Sequence, residues 1–140
     1  MNFEQVGDLV DNDEANYMKE LSYIFNKHEM IFNWEYTITD SKTYSFIAKN
    51  ENFDLDEYML TTKQRIIREG WVLVEKNNYG EFYCDKNNNN IGITFPMYDK
   101  RLDRGNKGYY TFQAYKKLAI TFNYTPNGNG DACKRGSYDA

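Results

Sequence analysis

Two residue types that carry much enzymatic and metal chemistry are scarce in this chain: it holds one histidine, His28, and two cysteines, Cys84 and Cys133. A single imidazole excludes a His-based metal cluster, and the cysteines stand too far apart for the close pairs of thiolate metal sites. Nor does any spacing couple a cysteine to His28 as a nucleophile and its base. Cys84, between Tyr83 and Asp85 in a predicted strand, suits a structural role. His28 is expected to be a surface residue closing the last turn of a helix. A bond between Cys84 and Cys133 would pin a Gly- and Asn-rich tail to the body. It would stabilise the fold by a few kcal/mol. Oxidation would fit a periplasmic or exported protein, and free thiols a cytoplasmic one.

The carboxylates are abundant in the N-terminal third, and abundant pairs carry little information about catalysis. Asp54, Asp56 and Glu57 crowd one helix start, where the helix dipole accounts for them. The same string lacks the glycine and ligand periodicity of a calcium loop. No spacing predicts a pair facing each other across a cleft, as glycosidic acid catalysis requires. A loop at 100–108 gathers Lys100, Arg101, Arg104 and Lys107, with Tyr109 and Tyr110 directly after it. Cations beside stacking rings are the means by which phosphates, nucleotides or single strands are held. This makes an anion- or sugar-binding domain, or an enzyme acting through that loop, the alternative function. No GxxxxGK[ST] or helix-opening GxGxxG accompanies it, and no cofactor is expected.

Charge is distributed unevenly. The formal net charge of -4 conceals thirteen Asp and Glu against four Lys in residues 1–60, and thirteen Lys and Arg against eight acids in residues 61–140. Such a dipole steers charged partners before contact. With no catalytic motif, the expected function is a small non-catalytic bacterial binding protein. The favoured type is an immunity or inhibitor protein that occludes a basic toxin or lytic enzyme. A phage or plasmid inhibitor of a host defence nuclease would use the same physics. The expected contacts are Asp11, Asp13, Glu14, Tyr17, Glu20 and Glu35, with acids steering and aromatics anchoring. An acidic total argues against nucleic acid as the partner. No apolar run reaches the ~18 residues of a membrane span, and the N-terminus lacks the basic and apolar regions of a signal peptide.

These groups need elements to position them. Asp11 and Glu14 have capping spacing ahead of Met18, Leu21 and Phe25, which predicts a first helix. Phe32, Trp34, Tyr36 and Ile38 alternate with polar residues and predict a strand with one buried face, returning through Thr43 to Ala48. Asp54 opens a second helix, with Leu55, Met59, Ile66 and Ile67 as its apolar positions and Gly70 as its C-terminal stop. Trp71-Val72-Leu73-Val74 is apolar on both faces and reads as a central strand. A hairpin at Asn77-Asn78-Tyr79-Gly80, with glycine supplying positive φ, begins a meander. Further strands are expected over 81–86, 91–95, 109–115 and 118–124. The fold class is therefore α+β: an antiparallel sheet of five to seven strands with two helices on one face. The domain is placed at 1–125 and the tail, tethered by Cys133 if that cysteine is bonded, at 126–140.

Overall fold

Apolar spacing that buries Met18, Leu21 and Ile24 accounts for the first helix at Asn12–Ile24, which is followed by a 3-10 turn at Asn26–His28. In this computed structural model residues 12–38, 41–96, 116–126 and 133 are described. The strands are β1 Met30–Ile38, β2 Ser41–Ala48, β3 Val72–Asn77, β4 Gly80–Cys84, β5 Asn90–Thr94 and β6 Ala119–Tyr124. They form one six-stranded sheet in the order β1-β2-β6-β5-β4-β3, and every neighbouring pair is antiparallel. The chain is α+β as its sequence predicts. Asp11, the strand expected at 109–115 and most of the tail lie outside the described residues.

The second helix occupies 55–68 as one continuous rod of three hydrogen-bonding patterns: an α turn at Leu55–Glu57, a π stretch at Tyr58–Thr62 and an α segment at Lys63–Arg68. Asp54 caps it, its Oδ1 accepting from the Asp56 and Glu57 amides at 2.9 and 3.2 Å. At the other end Gly70 takes φ +99°. Its amide bonds the Ile67 carbonyl and the Trp71 amide that of Ile66, the paired bonds of a Schellman stop. The buried face is Tyr58, Thr62 and the expected Ile66, with the expected Met59 packed partly buried against the core, whereas Leu55 and Ile67 are exposed. Polar tips explain the misreading, because Tyr58 and Thr62 are buried with their hydroxyls engaged.

One apolar cluster joins both helices to one sheet face. Met18, Leu21, Ile24 and Phe25 meet Tyr58 and Ile66 over Tyr44, Phe46, Tyr83, Ile91, Ile93, Ile120 and Phe122. The alternation of these residues along their strands is what a half-buried pleat requires. A smaller cluster on the opposite face holds Phe82, Cys84, Val74 and Cys133.

Three local expectations are corrected. β3 is an edge strand, not a central one: a bulge between Leu73 and Glu75 breaks its alternation, and Val72 is exposed. Apolar residues on both faces here reflect that irregularity. In β1 a bulge between Phe32 and Trp34 switches faces. Phe32 packs on the core, whereas Trp34 and Tyr36 project from the other face and remain exposed. Gly80 is required for space and not for positive φ: a Cβ there would sit 1.8 Å from the Ile93 carbonyl oxygen. The turn itself is held by Asn77, whose Oδ1 accepts from the Tyr79 and Gly80 amides.

Candidate functional site

Helical spacing puts Asp13, Tyr17 and Glu20 on the flank of the first helix beside its buried face. That flank forms one wall of two adjoining clefts. The larger, of about 550 Å³, is lined by Asp13, Asn16, Tyr17, Glu20, Asn87, Asn89, Tyr124, Thr125 and Pro126. The smaller, of about 270 Å³, shares Tyr17 and Glu20 and adds Glu69, Gly70, Trp71, Asp85 and Lys86. Together they make an acidic groove with aromatic walls.

Tyr17 is its pivot. Its ring lies 6.0 Å from Trp71, 5.6 Å from Phe122 and 5.8 Å from Tyr124, centroid to centroid. Its hydroxyl donates to Asp85 Oδ2 at 2.5 Å and accepts from the Asn89 side-chain amide at 2.9 Å. Burial, then the Asp85 acceptor, pushes the phenol up to about 12.

The opposite wall is the β4–β5 turn. Asp85 Oδ1 accepts from the Asn87 and Asn89 amides, both at 2.9 Å, while Asn88 adopts the left-handed conformation at φ 65°. Asparagine tolerates that region because its short polar side chain can bond locally. Asn89 Oδ1 then accepts from the Thr125 amide at 2.7 Å, fastening the turn to the end of β6. The asparagine run is thus a folded tip that braces the groove. Immediately before it, Cys84 is bonded to Cys133, with Cα atoms 6.0 Å apart and a sequence separation of 49. Closing a loop of this length contributes about 4 kcal/mol in the chain-entropy treatment.

Glu20 is half-buried and accepts from the Trp71 indole at 2.6 Å. Burial raises its pKa, the indole bond lowers it, and the Glu69 and Asp85 carboxylates raise it further. Among the described residues, none of Asp13, Glu20, Glu69 and Asp85 stands within salt-bridge distance of a lysine or arginine. These acids outnumber the one described lysine of the groove lining, Lys86, which is paired to none of them.

The remaining expected contacts lie elsewhere. Glu14 is corrected: it is fully buried, accepts from the Tyr44 hydroxyl and stands 3.8 Å from Lys42. It faces inward because Tyr44 and Lys42 supply the donors that a buried carboxylate needs. Glu35 lies on β1, exposed, 3.7 Å from the same lysine. Asp11 and all of the anion-site residues, Lys100, Arg101, Arg104, Lys107, Tyr109 and Tyr110, lie outside the described residues. His28 is also corrected. It is packed between Phe25, Phe53 and Tyr58, with a ring nitrogen 2.6 Å from Thr62 Oγ1. Burial lowers its pKa.

A second acid is enclosed between the second helix and β4. Glu81, buried to 1% exposure, accepts from Tyr58 at 2.6 Å, Tyr83 at 2.7 Å and Lys63 at 2.5 Å. Burial and the bonds to Glu81 raise both phenols. The π stretch sets Tyr58 and Lys63 together, with the Lys63 amide bonded to the Tyr58 carbonyl five residues back. Among the described residues no cluster of His, Cys, Asp and Glu could hold a metal ion, and no helix is long and apolar enough to cross a membrane. Glu69, Trp71, Asp85, Asn87, Asn89 and Tyr124 were not foreseen as groove residues; only their meeting in space identifies them. No protein-family model, curated protein or solved structure matches this chain.

Proposed function

We propose that this chain is a non-catalytic binding protein of the immunity or inhibitor type, which captures a basic partner, a toxin or lytic enzyme, in the acidic groove beside its first helix. One observation carries the reading. Asp13, Glu20, Glu69 and Asp85 ring a cleft walled by Tyr17, Trp71 and Tyr124, with no lysine or arginine paired to them among the described residues. Four carboxylates against the one described lysine of the groove lining, Lys86, attract lysine and arginine over several ångströms and speed encounter. Rigid aromatic walls provide the anchor that such interfaces concentrate their energy on. The groove is pre-formed through the Tyr17–Asp85–Asn89 bonds, so less ordering cost is left for the moment of binding.

The test compares wild type with Asp13→Lys/Glu69→Lys, two exposed positions whose reversal leaves the core untouched. Proteins from the native host are captured on each at low and high salt and identified. The expected result is a stoichiometric basic protein held by wild type, released by salt and lost from the variant. Association of the purified pair should slow about tenfold or more and lose most of its salt dependence. Equal capture and equal kinetics for wild type and variant would remove the groove from the account.

A further inference from the structure

The disulfide stands at the neck of the turn that walls the groove. Residues 85–89 and 124–126, which build that wall, all fall inside the segment closed by the Cys84–Cys133 bond. Residues 13–20 and 69–71 of the facing wall precede it. The turn at 85–89 lies beyond the last ladder pair of its hairpin, Cys84 with Asn90. Cys133 Sγ is 3.6 Å from the Asn89 carbonyl oxygen, and that oxygen accepts from the Asp85 amide at 3.0 Å. Behind the turn, the two cysteines pack with Phe82 and Val74 on the sheet face away from the helices. Across the groove, the Tyr17 hydroxyl bonds Asp85, Asn87 and Asn89.

We infer that the Cys84–Cys133 bond is a redox latch on this wall: oxidised, it fixes the turn against Tyr17, and reduction by a small dithiol loosens the turn while the helices and sheet stay folded. The main core contains neither cysteine, so the packing of helices on sheet does not run through the bond. Cys133 is only partly buried, which leaves the pair within reach of a small reductant. One thiolate of the dithiol attacks a sulfur of the pair, breaking the S–S bond and forming a mixed disulfide. Its second thiolate then closes the reagent's own disulfide. Two electrons pass to the protein, and Cys84 and Cys133 each end as a thiol with one proton. The contact at Asn89 is then no longer enforced, and the turn keeps only its hydrogen bonds. The consequence for capture rests on the function proposed above: an ordered turn binds at lower entropic cost, so the oxidised chain is the form that holds a basic partner.

Backbone order parameters from nitrogen-15 relaxation of the whole chain, oxidised and in dithiothreitol, test the latch without any partner. The reporters are the amides of Asn87 and Asn89, bonded to Asp85 Oδ1, and of Thr125, bonded to Asn89 Oδ1. On reduction they should fall from a rigid value of about 0.85 to below about 0.6, while those of β2 and the second helix stay high. Reoxidation should restore them. Cys84→Ser/Cys133→Ser should be loose at the turn from the outset and indifferent to dithiothreitol. A bond that only restrains the unfolded chain would leave these folded-state values alone. Unchanged reporters in the reduced chain therefore overturn the inference. So does equal loosening or unfolding of the whole chain, or a response to dithiothreitol in the serine variant. A groove that captures no basic protein would refute the proposed function and leave this result as it stands.

Discussion

Glu81 and Glu20 are the same side chain in opposite conditions. Glu81 has three donors directed at its two oxygens, Tyr58, Tyr83 and Lys63. Glu20 has one, the Trp71 indole, and two carboxylates nearby that repel its charge. A buried carboxylate with its acceptors filled and a cation beside it is a structural joint, here between the second helix and β4. A half-buried one with spare acceptor capacity and like-charged neighbours does not help the fold in that way. It is the arrangement a binding surface keeps for a cation supplied from outside. Position on the map of charge does not separate the two, but partner count does.

The comparison is broken most severely by removing the joint. Glu81→Ala should cost about 3–5 kcal/mol, because it leaves Lys63 and two buried phenols without their acceptor. Glu81→Gln should cost less, since an amide oxygen still accepts from a tyrosine. Urea unfolding measures both. If Glu81→Ala unfolds at the wild-type midpoint, the cluster is not a joint, and the contrast with Glu20 loses one side.

How much of this was legible in the sequence depends on how locally each feature is determined. Helix starts and stops were readable because the chemistry lies within a turn: Asp54 reaches two amides ahead, and Gly70 must adopt φ +99° for the chain to reverse. The flank Asp13–Tyr17–Glu20 was readable as a surface, since four- and three-residue steps bring side chains to one side. Glu14, between them, was misassigned because burial of an acid depends on Tyr44, thirty residues away, and on Lys42. The opposite wall of the groove was not readable at all. Trp71, Asp85 and Asn89 reach Tyr17 only through the order of the sheet, which no local pattern encodes. The apolar run at Trp71–Val74 misled for the same reason: a bulge and an edge position look, in sequence, like a buried centre.

The pivot of the groove gives a smaller effect than the joint. Tyr17→Phe keeps the ring contacts with Trp71, Phe122 and Tyr124 but leaves Asp85 and Asn89 without the hydroxyl. The loss should be about 1–2 kcal/mol by urea unfolding. Amide exchange should quicken in the 85–89 turn while the second helix stays as protected as in wild type. Equal loosening of both regions would mean that the groove is not an independently braced unit.

Glu20→Gln should produce the smallest stability change and the opposite sign. A carboxyl whose pKa is raised in the folded chain binds its proton more tightly there. Its contribution is therefore greatest below the unfolded value of 4.5 and declines as pH rises through the folded value. At neutral pH the ionised group is a net burden relative to a neutral isostere, because burial and the Glu69 and Asp85 charges outweigh the indole bond. Glutamine keeps an oxygen for Trp71 and removes the charge. The variant should thus be at least as stable as wild type at neutral pH and should lack this part of the decline between acid and neutral pH. It should also associate more slowly with a basic partner. Urea midpoints taken across that pH range decide the first point. A variant less stable than wild type at neutral pH would mean that the charged carboxylate earns its place by holding Trp71. Glu20 would then belong with Glu81 as a joint, and the groove would lose the acid at its centre.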